Sequence, residues 1–223
     1  MSIKSQKSKL FLILSLHRSG SSATAGVLHH LGVNMGNNLM DANYSNPKGH
    51  YENVDFVNIN NKILSSVDAS WDTPVSREII LSSKFPRNEL RAFFKNQVKC
   101  IWGLKDPRTT LTLDIWKPYL EEIAHITYIF VWRSFEASVS SLAHRDNMTA
   151  ASSRAILVPY YDNLKHYRQQ LEATNESLID LHFDDLISKP EVFVKKINVE
   201  IGQSPEQNLD IIKNFLDKDL KHF

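Results

Sequence analysis

The sequence predicts an α/β fold with a central, mainly parallel sheet flanked by helices, and two observations carry that prediction. Four segments are short, apolar and rich in β-branched or aromatic residues, the pattern of strands buried on both faces, and stretches of helical periodicity lie between them. Each segment is also followed by polar or charged residues: His17-Arg18, Lys105-Asp106-Pro107-Arg108, Arg133-Ser134 and Asp184-Asp185. Parallel sheets bind ligands at the carboxyl ends of their strands, so one edge of the sheet is expected to collect these groups.

The strands are expected at residues 10–16, 98–104, 126–132 and 177–183. A first helix spans residues 21–31, with Val27, Leu28 and Leu31 on one face and Gly32 as its stop. A second spans residues 55–64 and buries Phe56, Ile59 and Ile63. Pro86 suits the first turn of a helix carrying Leu90, Phe93 and Phe94. A longer helix covers residues 153–173 with Leu157, Tyr160, Tyr161, Leu164 and Leu171 inward, and Pro159 is a candidate kink. Ser204-Pro205-Glu206-Gln207 reads as the start of a last helix bearing Leu209, Ile212 and Leu216.

The 223 residues suit one substantial domain, 1–223, with no internal repeat or linker. Hydrophobic residues make up 42% and charged residues 23%, which excludes a disordered chain. A formal net charge of +1 gives no global field for nucleic acid or an anionic membrane, so any anion site is local. The one cysteine, Cys100, cannot form an internal disulfide and is expected to be buried; no Cys/His spacing indicates a metal. Lysines precede a short apolar run near the N-terminus, but that run leads into His17-Arg18 rather than a cleavage site. It reads as a strand, and with no apolar stretch near ~20 residues the expected location is cytoplasmic, without stable membrane insertion.

The stretch "ILSLHRSGSSATAGVL" is built like a phosphate loop, an apolar strand turning into a small-residue helix. Laid over G-x-x-x-x-G-K-[ST], it puts Ser15 at the first position, Gly20 at the second glycine and Ser22 at the hydroxyl. Ser21 stands where the lysine belongs, and the basic residue is Arg18 instead. Backbone N–H groups of Ser19, Gly20, Ser21, Ser22 and Ala23 would face an anion at the helix N-terminus. The cradle is kept and the lysine specific to nucleoside triphosphates is not. A small-molecule kinase, or an incidental turn, remains an alternative at this point.

"LHRSGSSATAGVL" resembles the 5′-phosphosulfate loop of the sulfotransferases, which use 3′-phosphoadenosine-5′-phosphosulfate (PAPS); Arg18-Ser19-Gly20-Ser21-Ser22 matches the form with Arg, as in the tyrosylprotein sulfotransferases. The family's 3′-phosphate site is an Arg ending a strand and a Ser eight residues on, and "VWRSFEASVSS" supplies Arg133 and Ser141 at that interval. Ser138 and Ser140 are neighbours, so Ser141 is chosen by the interval. "GLKDPR" looks like the family's Lys-bearing strand end, and "LHFDDLISKPE" resembles a segment near sulfotransferase C-termini. The likeness spans roughly residues 10–202. An Arg-Lys-Gly element that closes on the 3′-phosphate in cytosolic members is missing; "DKDLKHF" does not match it.

The resemblance implies a three-layer P-loop-like fold and in-line transfer of a sulfuryl group from PAPS to a hydroxyl or amine, releasing PAP, with no metal required. Arg18 and Lys105 are the residues expected to meet the developing charge. In "SNPKGHYEN", Glu52 is the expected base by likeness to a Gly-aromatic-aromatic-Glu element of bacterial members, with His50 second. His17 is expected to support the loop, Asp106 to orient Lys105 or the acceptor, and Arg108 to meet the cofactor or an anionic substrate, with a structural ion pair as the alternative for both. Trp132 and Phe183 are candidates for adenine, and Arg145 or the helix over residues 153–173 for closure. The acceptor pocket is expected from residues 41–53, 66–83 and 147–161, with Tyr44, Tyr51, Trp71, Tyr160 and Tyr161, for a small-molecule, glycan or lipid-like acceptor. A Mg-ATP-dependent kinase and a catalytically degenerate nucleotide-binding scaffold are the competing functions, and oligomeric state is open.

Overall fold

The structure is a computed structural model and describes residues 7–44, 46–85 and 87–216. The residues 1–6, Pro86 and the tail 217–223 discussed above lie outside the described residues. Four parallel strands form one sheet: β1 (Ser8–Ser15), β2 (Ile101–Lys105), β3 (Ala124–Trp132) and β4 (Ser177–His182), in the spatial order β2-β1-β3-β4. All four expected strands are present.

Alternation along β1 builds the two sides of the sheet. Leu10, Leu12 and Leu14 pack on one face with Trp102, Trp116 and Tyr128, while Phe11 and Ile13 face the other with Val27, Leu28 and Ile197. The first face is covered by α2 (Val54–Ser65), α4 (Arg87–Gln97), α5 (Thr109–Ile123) and α7 (Ala150–Ala173), with the short α3 (Arg77–Leu81) beside them. The second is covered by α1 (Ser21–His30), α8 (Phe183–Ser188), α9 (Pro190–Glu200) and α10 (Leu209–Phe215), while α6 (Phe135–Asp146) follows β3. The result is a three-layer α/β fold.

Register brings the strand ends together. Ile13 pairs with Lys105, Ser15 with Val131 and Trp132 with His182, so His17-Arg18, Lys105, Arg133 and Phe183 emerge along one edge. The α2 helix starts where Asn53 accepts from the backbone N–H groups of Asp55 and Phe56, and α7 where Thr149 accepts from Ser152 N–H. Gly32, at φ 94°, ends α1 in a conformation that favours glycine.

Several expectations need correcting. Cys100 is exposed, because β2 begins only at Ile101; the Cys100 carbonyl accepts from Lys9 N–H at 2.8 Å at the entry to the sheet. The last helix begins at Leu209, not at Ser204. Asn198 Nδ2 donates to the carbonyls of Pro205 and Gln207, which holds that stretch as turns, and Asn208 adopts a left-handed φ of 62°. Phe183 opens α8 rather than closing β4. The helix α7 begins at Ala150, three residues before the expected start, and includes Pro159. No helix among the described residues is long and apolar enough to cross a membrane.

Candidate active site

A cleft at the carboxyl edge of the sheet is lined by His17, Arg18, Gly20, Ser21, Ser22 and Ala23 from the loop and α1, and by Asn46, Pro47, His50 and Glu52 from the segment before α2. Lys105 and Pro107 come from the end of β2, Arg133 from the end of β3, Arg145 from α6 and Phe183 from α8. Of the residues expected to bind or act on an anion, Ser19, Arg108 and Ser141 do not line this cleft; Arg108 is paired with Asp106, and the others border it. Asp184 and Asp185 do not; they are exposed in the first turn of α8, and Phe183 takes their place at the fourth strand end.

The loop leads into an uncapped helix start, a geometry that suits an anion. Gly20 precedes α1 with φ 94°, contributes no side-chain cap, and the first turn of α1 carries no acidic residue, so N–H groups there remain available to a negative ligand. A Cβ on Gly20 would fall 2.1 Å from the Phe183 ring, so the turn and that ring are fitted to one another. Ser19 is turned inward, its Oγ donating to the Leu16 carbonyl at 2.9 Å, which leaves only its backbone for a ligand. Arg18 holds a left-handed φ of 64°, unusual for a side-chain-bearing residue.

The two separately recognised motifs meet. Arg18 Nε donates to Ser141 Oγ at 3.1 Å, and Arg133 donates to the Arg18 carbonyl at 2.9 Å while its guanidinium lies 5.3 Å from the Phe183 ring centroid. Ser141 is 1% exposed, Ser138 is buried without a hydrogen-bond partner, and Ser140 faces solvent. Burial, then repulsion from Arg145 and Arg133, holds the Arg18 guanidinium below its ordinary range. Burial does the same at Arg133, opposed by Asp184. Crowded cations of this kind fit a phosphate, which would relieve their repulsion. Arg145 lies over Trp71 and is clamped by Asp146.

On the other wall, Lys105 Nζ donates to Glu52 Oε1 at 2.5 Å, to Ser22 Oγ at 3.0 Å and to the His50 carbonyl at 3.3 Å. Burial pushes the Glu52 carboxyl up, but Lys105 and Arg108 outweigh it and hold the group below the usual carboxylate range. Behind the pair, Asp106 is sealed from solvent. It accepts from Asn60 Nδ2 and from the Arg108 backbone and guanidinium, and burial raises its affinity for a proton despite Arg108. The Arg108 guanidinium stays charged, since Asp106 and Glu52 overcome the effect of burial. Burial also lowers His50, with Glu52 acting against it. His17 is held well below its ordinary value by burial and by Arg108, Arg145, Lys105 and Arg18, and its ring packs against Trp71 and Tyr160.

The aromatic residues expected around an acceptor do not line the cleft. Tyr160 is buried with its hydroxyl on the Trp71 carbonyl, Tyr44 is fully exposed, Tyr51 packs on Phe215, and Tyr161 packs on Phe135. Trp132 stacks on Phe130 and donates to Asp180, leaving Phe183 as the aromatic residue of the cleft. Asn46 was not foreseen: its Nδ2 donates to Ser22 Oγ at 2.9 Å. Its segment, residues 41–53, is among those expected to line a pocket, but nothing in the sequence singles out Asn46 itself.

No protein-family model and no curated protein matches the chain. Solved structures do. The sulfotransferase STF1 from Mycobacterium tuberculosis H37Rv superposes with a TM-score of 0.61 at 14% identity, over 93% of this chain and 71% of that one. The sulfotransferase domain of the Synechococcus PCC 7002 olefin synthase gives 0.54 at 15% identity, over 98% and 90%. The sulfotransferase domain of the curacin biosynthetic pathway gives 0.50 at 13% identity, over 88% and 75%. The chain has the sulfotransferase fold, as the motifs at its strand ends led one to expect.

Proposed function

We propose that this chain is a sulfotransferase that moves a sulfuryl group from PAPS to a hydroxyl or amine of a small-molecule, glycan or lipid-like acceptor and releases PAP. The observation that carries the proposal is the contact of Arg18 with both Ser141 and Arg133. Two motifs 115 residues apart thereby form one cationic cleft. When bound, PAPS supplies an activated sulfuryl group whose phosphate side is the leaving group.

In this reading the N–H groups of residues 19–23 and the Ser22 hydroxyl hold the 5′ side. Arg133 and Ser141 hold the 3′-phosphate, Arg145 adds a further cation, and Arg18 spans the two sides. Lys105 neutralises charge on the leaving oxygen, and Glu52 removes the acceptor's proton. Those two tasks are linked through their ion pair. Moving Lys105 Nζ away from Glu52 removes the interaction that depresses the carboxylate's proton affinity, making Glu52 a better base. His50, held neutral by burial, is the second candidate for the proton.

The test is to supply PAPS labelled in the sulfuryl group with a panel of hydroxyl and amine acceptors, and to follow PAP release and labelled product. Acceptor-dependent PAP release is expected, and Lys105→Ala should lower it by about 10²–10³. Phosphate transfer from Mg-ATP with no use of PAPS would assign the cleft to a kinase. PAP binding without turnover, insensitive to Glu52→Ala, would assign it to a binding protein.

A further inference from the structure

Two hydrogen bonds converge on one hydroxyl of the anion cradle. Ser22 Oγ accepts from Lys105 Nζ at 3.0 Å and from Asn46 Nδ2 at 2.9 Å. A serine hydroxyl has two lone pairs and one proton. With both lone pairs engaged it can only donate, and the proton must point away from its two partners. Among the described residues no protein group accepts that proton. Ser22 and Asn46 both border the cleft beside Gly20, Ser21 and Ala23.

Asn46 is itself held in place independently of Ser22. Its backbone N–H donates to the side-chain oxygen and the carbonyl of Asn43, both at 3.0 Å, and its own carbonyl accepts from Asn43 and Gly49. The carboxamide is thus presented to Ser22 from a closed turn rather than from a freely moving side chain. Lys105 alone would fix one lone pair and leave the hydroxyl free to rotate; the second donor removes that freedom.

We propose that Asn46 is a positioning residue for the donor site: by filling the second lone pair of Ser22, it commits that hydroxyl to donating toward the phosphate in the cradle. This rests on the cleft taking PAPS and PAP. It assigns the segment between α1 and α2 a part in holding the donor, in addition to carrying His50 and Glu52. Asn46 acts through Ser22 and not on the ligand, so its effect must vanish when Ser22 has no hydroxyl.

The experiment measures PAP affinity by titration calorimetry in the wild type, Asn46→Ala, Ser22→Ala and the double variant, with melting curves of the ligand-free proteins alongside. Asn46→Ala is expected to weaken PAP binding about fivefold to tenfold, a fraction of one charge-assisted hydrogen bond. In the Ser22→Ala background the same change should alter affinity by less than about twofold. Asn46→Ser, which suits the turn but is too short to reach Ser22, is read the same way and replaces Asn46→Ala if that variant does not fold. Wild-type affinity in the Asn46 variants, or a loss that adds in full to that of Ser22→Ala, overturns the role of Asn46 and leaves the sulfotransferase proposal standing. A wild type that does not bind PAP overturns both.

Discussion

Lys105 Nζ lies 2.5 Å from Glu52 Oε1, with side-chain exposures of 2% and 9%, so the Lys105 charge is neutralised by Glu52 where water barely reaches, while Glu52 also has Arg108 at 3.9 Å. Removing one partner of a buried pair leaves an uncompensated charge and costs about 3–5 kcal/mol. For a chain of this size that is a loss of roughly 6–20 °C in melting temperature. Lys105→Met and Glu52→Gln should each show it in thermal unfolding, and the double variant should recover most of it. Single variants that melt like the wild type would contradict the pairing.

Stability should fall as pH is lowered through the range where histidine normally titrates. Burial holds His17 well below 6.5 in the folded protein. The unfolded chain takes up that proton near 6.5 and the folded one does not, so acid favours unfolding. The contribution is fully present above about pH 6.5 and is lost as pH falls below it, by up to about 1.4 kcal/mol per pH unit. His17→Phe keeps a ring between Trp71 and Tyr160 and removes the His17 share of this slope, leaving the smaller shares of His30 and His50, which burial also lowers. Chemical denaturation at pH 7.5 and 5.5 checks it: an unchanged difference between the two pH values in the variant would count against the assignment.

Gly20→Ala should damage the loop twice over. The alanine must adopt φ near 94°, and its Cβ would fall 2.1 Å from Phe183. A loss of about 1–3 kcal/mol is expected in denaturant unfolding. Adding Phe183→Ala should restore the steric part and leave the backbone part. Full stability in Gly20→Ala would show that the turn is not built as described.

Native protein should react with a thiol reagent at one site per chain without denaturant, because Cys100 is exposed and is the sole cysteine of the sequence. Reaction only after unfolding would restore the buried position expected from its apolar neighbours.

The strands and the cleft were legible in the sequence because strand burial and strand-end polarity are local signals. Arg133 and Ser141 could be picked out by interval, yet their contact with Arg18 comes from the parallel pairing of β1 with β3, which no local pattern encodes. The sequence reading assigns no element to residues 109–123, where α5 forms; this helix is held by packing, with Trp116 buried and donating to Asn60. The late start of α10 follows from Asn198, a residue on another helix. Aromatic residues of the expected acceptor segments do not line the cleft because neither helical periodicity nor loop composition says which side chains meet a ligand: Tyr160 packs inward from α7, as its periodicity predicts, and Tyr44 faces solvent.

The central claim is that the cleft reads a 3′-phosphate, and comparing PAP with AMP isolates that group. Thermal unfolding of the wild type and of Arg133→Ala, each with saturating PAP, AMP or Mg-ATP, is the most direct measurement. PAP at 100 times its dissociation constant should add about 2.7 kcal/mol of stability to the wild type. AMP at the same concentration should add clearly less, and Arg133→Ala should erase most of the difference. Equal stabilisation by PAP and AMP, or a shift with Mg-ATP and none with PAP, would contradict the account.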